Sequence, residues 1–181
     1  MPQIKSSTGE LLKAIKSLIV TQLSLNSSRV LLVARSEIPN FTGDQDIIIR
    51  PGSPTPDDGF IQGSGRTASV VSRQIYIAIR TRFAVDISNS DERWLLDPTY
   101  GHLAREEQLI NLLHLRWIKD ASNNDLLIQP LRMTKPVTDF VGHSQEGYTK
   151  GSNEKDSQKQ YGISLLAFEA AYMLGVTSNG Y

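Results

Sequence analysis

The sequence contains no cysteine. Disulfides, thiolate nucleophiles, zinc–thiolate sites and iron–sulfur clusters are therefore excluded, although the absence fixes no compartment. Neither sign of charge is in excess, because 19 Lys+Arg face 19 Asp+Glu. A dedicated nucleic-acid binder carries a basic surplus and a disordered, solvating chain a large net charge, so the balance argues against both. No apolar run approaches the roughly 18 residues that a bilayer-crossing helix needs. The opening Met1-Pro2-Gln3-Ile4-Lys5 lacks the apolar stretch of a signal peptide, and Leu18-Ile19-Val20 is short and set in a polar-faced helical pattern. The expectation is a soluble protein, made and kept in the cytoplasm.

The 181 residues suit a single domain, and a hydrophobic fraction of 39% permits a core while leaving a large share to polar loops. A net charge near zero also favours association over colloidal isolation.

Periodicity predicts a first helix. Ser7 and Glu10 have capping-box spacing, after which Leu11, Leu12, Ile15, Leu18, Ile19 and Leu23 recur at helical intervals until Asn26-Ser27-Ser28. Val30–Ala34 and Ile47–Ile49 read as strands, the second ended by Arg50-Pro51-Gly52. Dense Pro and Gly then predict a long loop over 51–67. From Val71 to Arg82 apolar and polar residues alternate with period two, predicting a long strand with its Ile face half-buried. A helical region is expected from Asp91 to Lys119, with Asp97-Pro98 as N-cap and first helical residue and Gly101 weakening the first turn. Asn123-Asn124 turns the chain into a short strand, Leu126–Ile128. A polar excursion follows over 134–160. The segment Tyr161–Leu174 has strong helix formers, yet it also fits a strand with Leu166, Phe168, Ala170 and Tyr172 on one face.

No strong enzymatic signature is present. Gly63-Ser64-Gly65-Arg66 is too short for a phosphate-binding loop, and no G-x-S-x-G nucleophile elbow exists. Of the three histidines, His102 and His114 are too far apart for a helical zinc pair, and His143 lies in the polar excursion. His102 and Glu106 can touch across one helical turn. The carboxylates Asp86, Asp91, Glu92 and Asp97 would suit a metal-dependent hydrolase if they converged, but they equally suit turns and caps. Arg80 and Arg82 flank Thr81 on the strand face opposite the isoleucines, with Asp86 a candidate ion-pair partner. Trp94 is a large anchor for a core or an interface. Residues 1–90 hold ten basic and seven acidic side chains, and residues 91–181 nine and twelve, so the halves carry +3 and −3. Opposed halves can join neighbouring copies.

One set of spaced residues has a family likeness. Gly65-Arg66 leads into Arg73 and the strand ending Ile77-Ala78-Ile79-Arg80-Thr81-Arg82. Asp86, Asp91, Trp94-Leu95-Leu96-Asp97, Gly101-His102-Leu103 and Glu106-Glu107 follow. The pattern, over about residues 45 to 132, resembles tail terminator (tail completion) proteins of long-tailed bacteriophages and related neck proteins.

The resemblance implies an α+β fold: a mixed, largely antiparallel sheet, one N-terminal and one central helix packed on it, and long polar loops. It makes Tyr161–Leu174 a strand that returns to the sheet. It implies a non-enzymatic, cofactor-free subunit of a homo-oligomeric ring, usually a hexamer, that caps the tail tube and stops its polymerisation. Its partners would be further copies of itself, the tail tube protein, a head-side connector or stopper, and the sheath in a contractile tail. DNA would pass through the lumen unread and no membrane would be involved. Arg66, Arg73, Arg80, Arg82, Asp86, Asp91, Trp94, Asp97, His102 and Glu106 would act as interface or structural residues. The alternatives are another neck component, the metal-dependent hydrolase using Asp86, Asp91 and Asp97, and a small monomeric binding module.

Overall fold

A computed structural model describes residues 8–33, 44–57, 69–83, 96–143 and 160–174. Helix α1 (Thr8–Gln22) is followed by a short 3-10 turn (Ser27–Arg29) and strands β1 (Val30–Leu32), β2 (Gln45–Asp57) and β3 (Ser69–Phe83). Helix α2 (His102–Leu113) and strands β4 (Arg132–His143) and β5 (Gln160–Leu174) complete the order. The five strands form one sheet in the order β1-β2-β3-β5-β4. Only the β1–β2 pair is parallel. This is the expected α+β architecture, with an N-terminal and a central helix.

The alternation in β3 sets the core. Val71, Ile75, Ile77 and Ile79 point to one face and are at most 4% exposed. Their partners in β5 are Tyr172, Phe168, Leu166 and Ser164, all inaccessible to solvent. Ile47 and Ile49 of β2 extend this face. Leu11, Ile15 and Ile19 of α1 and Leu109 and Leu113 of α2 cover it. The spacing of these helical residues places them on one stripe, and burying each large aliphatic side chain contributes about 1.5–3 kcal/mol. β5 is a strand despite its helix formers because β3 pairs with it along its whole length and β4 pairs with it from Gln160 to Glu169.

Several boundaries differ from expectation. β2 does not end at Arg50-Pro51-Gly52 but runs to Asp57, so the anticipated loop over 51–67 is strand in its first part; residues 58–67 lie outside the described residues. Prolines are tolerated there because β1 pairs only with Ile47–Ile49, so among the described residues the outer edge of β2 has no strand partner from Arg50 onward. The register with β3 shifts between Pro51 and Pro54, and Gly52 lies in that irregularity. A Cβ on Gly52 would come within 3.0 Å of the Tyr76 ring and 3.1 Å of the Gln74 carbonyl oxygen, so the close approach requires glycine.

The polar excursion is likewise strand over its first part. β4 runs to His143, paired with β5 through two register irregularities, and residues 144–159 lie outside the described residues. Cross-strand bonds from an apolar neighbour outweigh the local composition.

Helix α2 is shorter than the region expected from Asp91 to Lys119. Asp97 does not cap it. Its Oδ1 accepts from the Thr99 and Tyr100 amides at 2.8 and 2.7 Å, closing a separate turn, and Gly101 is the N-cap. The helix stops because Leu115 adopts a left-handed backbone, φ 58°, and its amide donates to the Leu131 carbonyl. Leu126–Ile128 is not a strand. Leu126 and Leu127 are buried in the core and held by single backbone bonds to Ile118 and, through Ile128, to Ala171. Ser7 and Ala34 lie outside the described residues. The N-terminal helix ends at Gln22, before the expected Asn26-Ser27-Ser28, and the Asn26 side chain instead caps the 3-10 turn. Among the described residues no helix is long and apolar enough to cross a membrane.

Candidate functional site

The strand-and-helix residues that carry the family likeness converge where α2 meets the core face of the sheet. Thr81 ends the isoleucine row of β3, and His102 opens α2. Thr81 Oγ1 lies 2.8 Å from His102 Nδ1, and His102 Nε2 lies 2.8 Å from Ser164 Oγ of β5. Ser164 in turn donates to Glu106 Oε2 at 2.7 Å. The expected meeting of His102 and Glu106 therefore runs through a strand residue rather than directly along the helix.

For a neutral imidazole, donor counting gives the proton order. Ser164 has one hydroxyl hydrogen and gives it to the Glu106 carboxylate, so toward His102 it accepts, and the ring carries its proton on Nε2. Nδ1 then accepts from Thr81, whose oxygen receives a hydrogen bond from Gln45 Nε2 at 3.0 Å. All donors point one way, from β2 through β3, α2 and β5 to Glu106. A row of this kind polarises each member and pins the helix end to three strands.

The trio of serine, histidine and carboxylate is not wired as a hydrolytic triad. In a triad the carboxylate holds the histidine and the histidine takes the serine proton. Here the carboxylate takes that proton directly, and Thr81, His102 and Ser164 are at most 2% exposed. The arrangement binds elements together, and Ser164 is inaccessible to solvent.

Gln45, which sequence reasoning missed, is the hub. Besides Thr81 it donates weakly to the Tyr100 carbonyl at 3.4 Å and accepts from Arg105 Nε at 3.0 Å. Arg105 Nη1 donates to Gln108 Oε1 at 2.8 Å. Burial holds the Arg105 guanidinium below its usual pKa, with the Tyr100 hydroxyl opposing that shift.

Two further clusters brace the sheet. On the face away from the helices, Arg80 and Asp46 are register partners in β3 and β2, 5% and 1% exposed. Arg80 Nε donates to Asp46 Oδ1 at 2.7 Å, and Nη2 donates to Oδ2, giving the two-pronged geometry that guanidinium and carboxylate favour. Asp46 thus occupies the role expected for Asp86, which lies outside the described residues. The cross-strand register was the missing signal: it needs the end of β2, which local pattern did not supply. On the core face, Arg73 donates from Nε to Tyr172 Oη at 3.0 Å and from Nη1 to the Gly52 carbonyl at 2.7 Å. Tyr172 Oη also bonds Thr8 Oγ1 of α1 at 2.7 Å.

Of the sequence-selected residues, Arg73, Arg80, His102 and Glu106 are therefore structural ties. Arg82 lies on β3 opposite Tyr161. Arg66, Asp91 and Trp94, like Asp86, lie outside the described residues. Among the described residues no three His, Asp or Glu side chains converge as a metal-binding group. Several large apolar side chains remain exposed, with Leu96, Tyr100 and Leu103 near the start of α2 and Leu115 and Trp117 beyond its end. Neither a family model nor a curated protein matches the sequence.

Proposed function

We propose that this chain is a structural assembly subunit without catalytic activity, a tail terminator of a long-tailed phage. Copies close into a ring, six in the usual form, that caps the tail tube, stops its polymerisation and presents a docking surface to the head-side connector. The virion neck is its place of action, and a contractile tail would add the sheath as a partner.

One observation carries the reading. Of the residues of the recognised pattern, Thr81, His102 and Glu106 spend polar atoms on joining α2 to the sheet and Arg80 on joining β3 to β2. A pattern that specifies a rigid body suits a subunit whose work is packing. The α+β sheet with two helices on one face agrees with the fold that the resemblance implies. Exposed Leu115 and Trp117 add an apolar surface of the kind that subunit contacts use.

Negative-stain microscopy of the purified protein tests the proposal, with closed rings expected. Deleting the gene from its phage should give overlong or uncapped tails. Normal isolated tails that fail to join heads would reassign the chain as a stopper. A species of about 20 kDa alone in light scattering at high concentration, with no ring on tail ends, would refute it.

A further inference from the structure

Arg105 is more deeply buried than its partners justify. It is 5% exposed, and its hydrogen-bond acceptors are two neutral side-chain amides, Gln45 and Gln108. Of the five N–H groups of a guanidinium, two are used, and among the described residues the other three have no protein acceptor. No carboxylate among the described residues lies within 4.0 Å of it, the ion pairs there being Arg80–Asp46 and Lys119–Asp125. No buried side-chain nitrogen is left without a partner there, so the unbonded Nη2 reaches solvent and its N–H groups are open to a ligand. By contrast, Arg80 at similar burial has its own aspartate.

The group lines a cleft of about 730 Å³ between the end of α1, the start of β2 and the turn before α2. Its walls include Leu23, Leu25, Arg29 and Tyr100. This volume falls within the range of small-molecule sites, and the mix of apolar wall and a few charged groups is also typical of them. Asp44, Asp46 and Asp97 line the cleft as well. Asp46 is neutralised by Arg80, and Asp97 holds two backbone amides. These carboxylates keep the overall field from being strongly positive. A doubly charged phosphate is repelled more by such a lining than a singly charged anion is. Direct pairing with a planar monoanion exploits the free N–H groups best, and the carboxylate is the planar anion whose two oxygens match a guanidinium.

We propose that this cleft binds a carboxylate, anchored on Arg105 and flanked by Arg29. The carboxylate belongs either to a free organic acid or to an Asp or Glu side chain of a second copy of this chain. The site does not depend on the ring reading, because a guanidinium without a carboxylate partner lining a cleft is a property of the single chain.

The test uses the native full-length protein, with the Arg105 Nε–Hε resonance assigned by comparison with R105K. Dilute protein is titrated with sodium acetate and glutarate, and separately with phosphate and chloride at matched ionic strength. A saturable shift with the carboxylates is expected, and the same titration read on the Gln45 side-chain amide, which lines the cleft, should show binding weakened roughly tenfold or more in R105Q. If a second copy supplies the group, the resonance shifts instead as protein concentration rises, acetate reverses that shift, and R105Q weakens self-association in sedimentation. No shift in either arm, or phosphate binding as tightly as acetate, would overturn the proposal. Absence of rings in the microscope, with the acetate shift intact, would count against the tail-terminator reading and leave this site standing.

Discussion

The pair Arg80–Asp46 offers the sharpest test of how the sheet is held. Both residues are almost fully buried, and their side chains are 6% and 0% exposed. Replacing Arg80 by Met keeps the bulk but strips Asp46 of its counter-charge. The carboxylate is then left in a site that water barely reaches, and breaking such a pair from one side costs about 3–5 kcal/mol. For a domain of this length each kcal/mol moves the melting temperature by roughly 2–4 °C, so R80M should melt about 6–20 °C lower. Asp46→Leu alone should cost a comparable amount, since it buries a guanidinium that has lost its bidentate carboxylate. The double variant R80M with D46L should recover nearly all of the loss, and it can exceed the native chain by about 1–4 kcal/mol. Urea unfolding gives the four free energies, run at two protein concentrations so that self-association does not masquerade as folding stability. Two single effects that simply add in the double variant would mean no coupling, and would refute the bidentate pair as the reason for burial. A cost below about 1 kcal/mol for R80M would place the pair among ordinary surface bridges.

Gly52→Ala should destabilise by about 1–3 kcal/mol, because the new methyl meets the Gln74 carbonyl and the Tyr76 ring and displaces the carbonyl that Arg73 holds; the midpoint of urea unfolding reads it. Leu115→Gly should raise stability by about 0.5–1 kcal/mol, since a left-handed backbone costs an L-residue roughly 1–2 kcal/mol and a side chain 64% exposed gives up little packing. If Leu115 is a subunit contact, the same variant will melt later yet self-associate less in sedimentation. Asp120 is held below the usual carboxylate range, first by the Asn124 side-chain amide and then by the Asn124 and Ser122 backbone amides. A depressed folded pKa supplies stability that is full above the ordinary value near 3.8 and lost as pH falls through the folded value. Amide exchange at Ser122 and Asn124 should therefore quicken in that acid window and become insensitive to it in Asp120→Asn; identical acid responses in both proteins would disprove the assignment.

The readable and unreadable parts of the fold differ in where their information lies. α1 and β3 were legible because a single face of each is apolar and the period of that face is local. β5 was legible only in part. Its two faces are both apolar, so helix and strand patterns coincide, and what decides is pairing with β3 and β4. Pro51, Pro54 and Pro56 look like loop punctuation, yet they lie on an edge whose outer side, among the described residues, has no strand that would need an N–H from them. Asp97 has the composition of a helix cap, but its carboxylate is consumed four residues before the true cap at Gly101.

The same division runs through the site. His102, Glu106 and Arg80 could be picked out as special, because polar side chains at the rim of an apolar pattern demand partners. Their partners, Ser164, Gln45 and Asp46, sit in β5 and β2 and look unremarkable along the chain. A hydrogen-bond row that links four elements can only be identified once strand order and register are known. This explains why the pattern of spaced residues reads as a signature without a chemistry. Arg73, Arg80, Thr81, His102 and Glu106 are each constrained by a contact made elsewhere in the chain, and the spacing of Thr81, His102 and Glu106 records the geometry of β3 against α2. Arg105 is the exception within α2: among the described residues its partners are two neutral amides and no carboxylate, so local structure explains its position but not its charge.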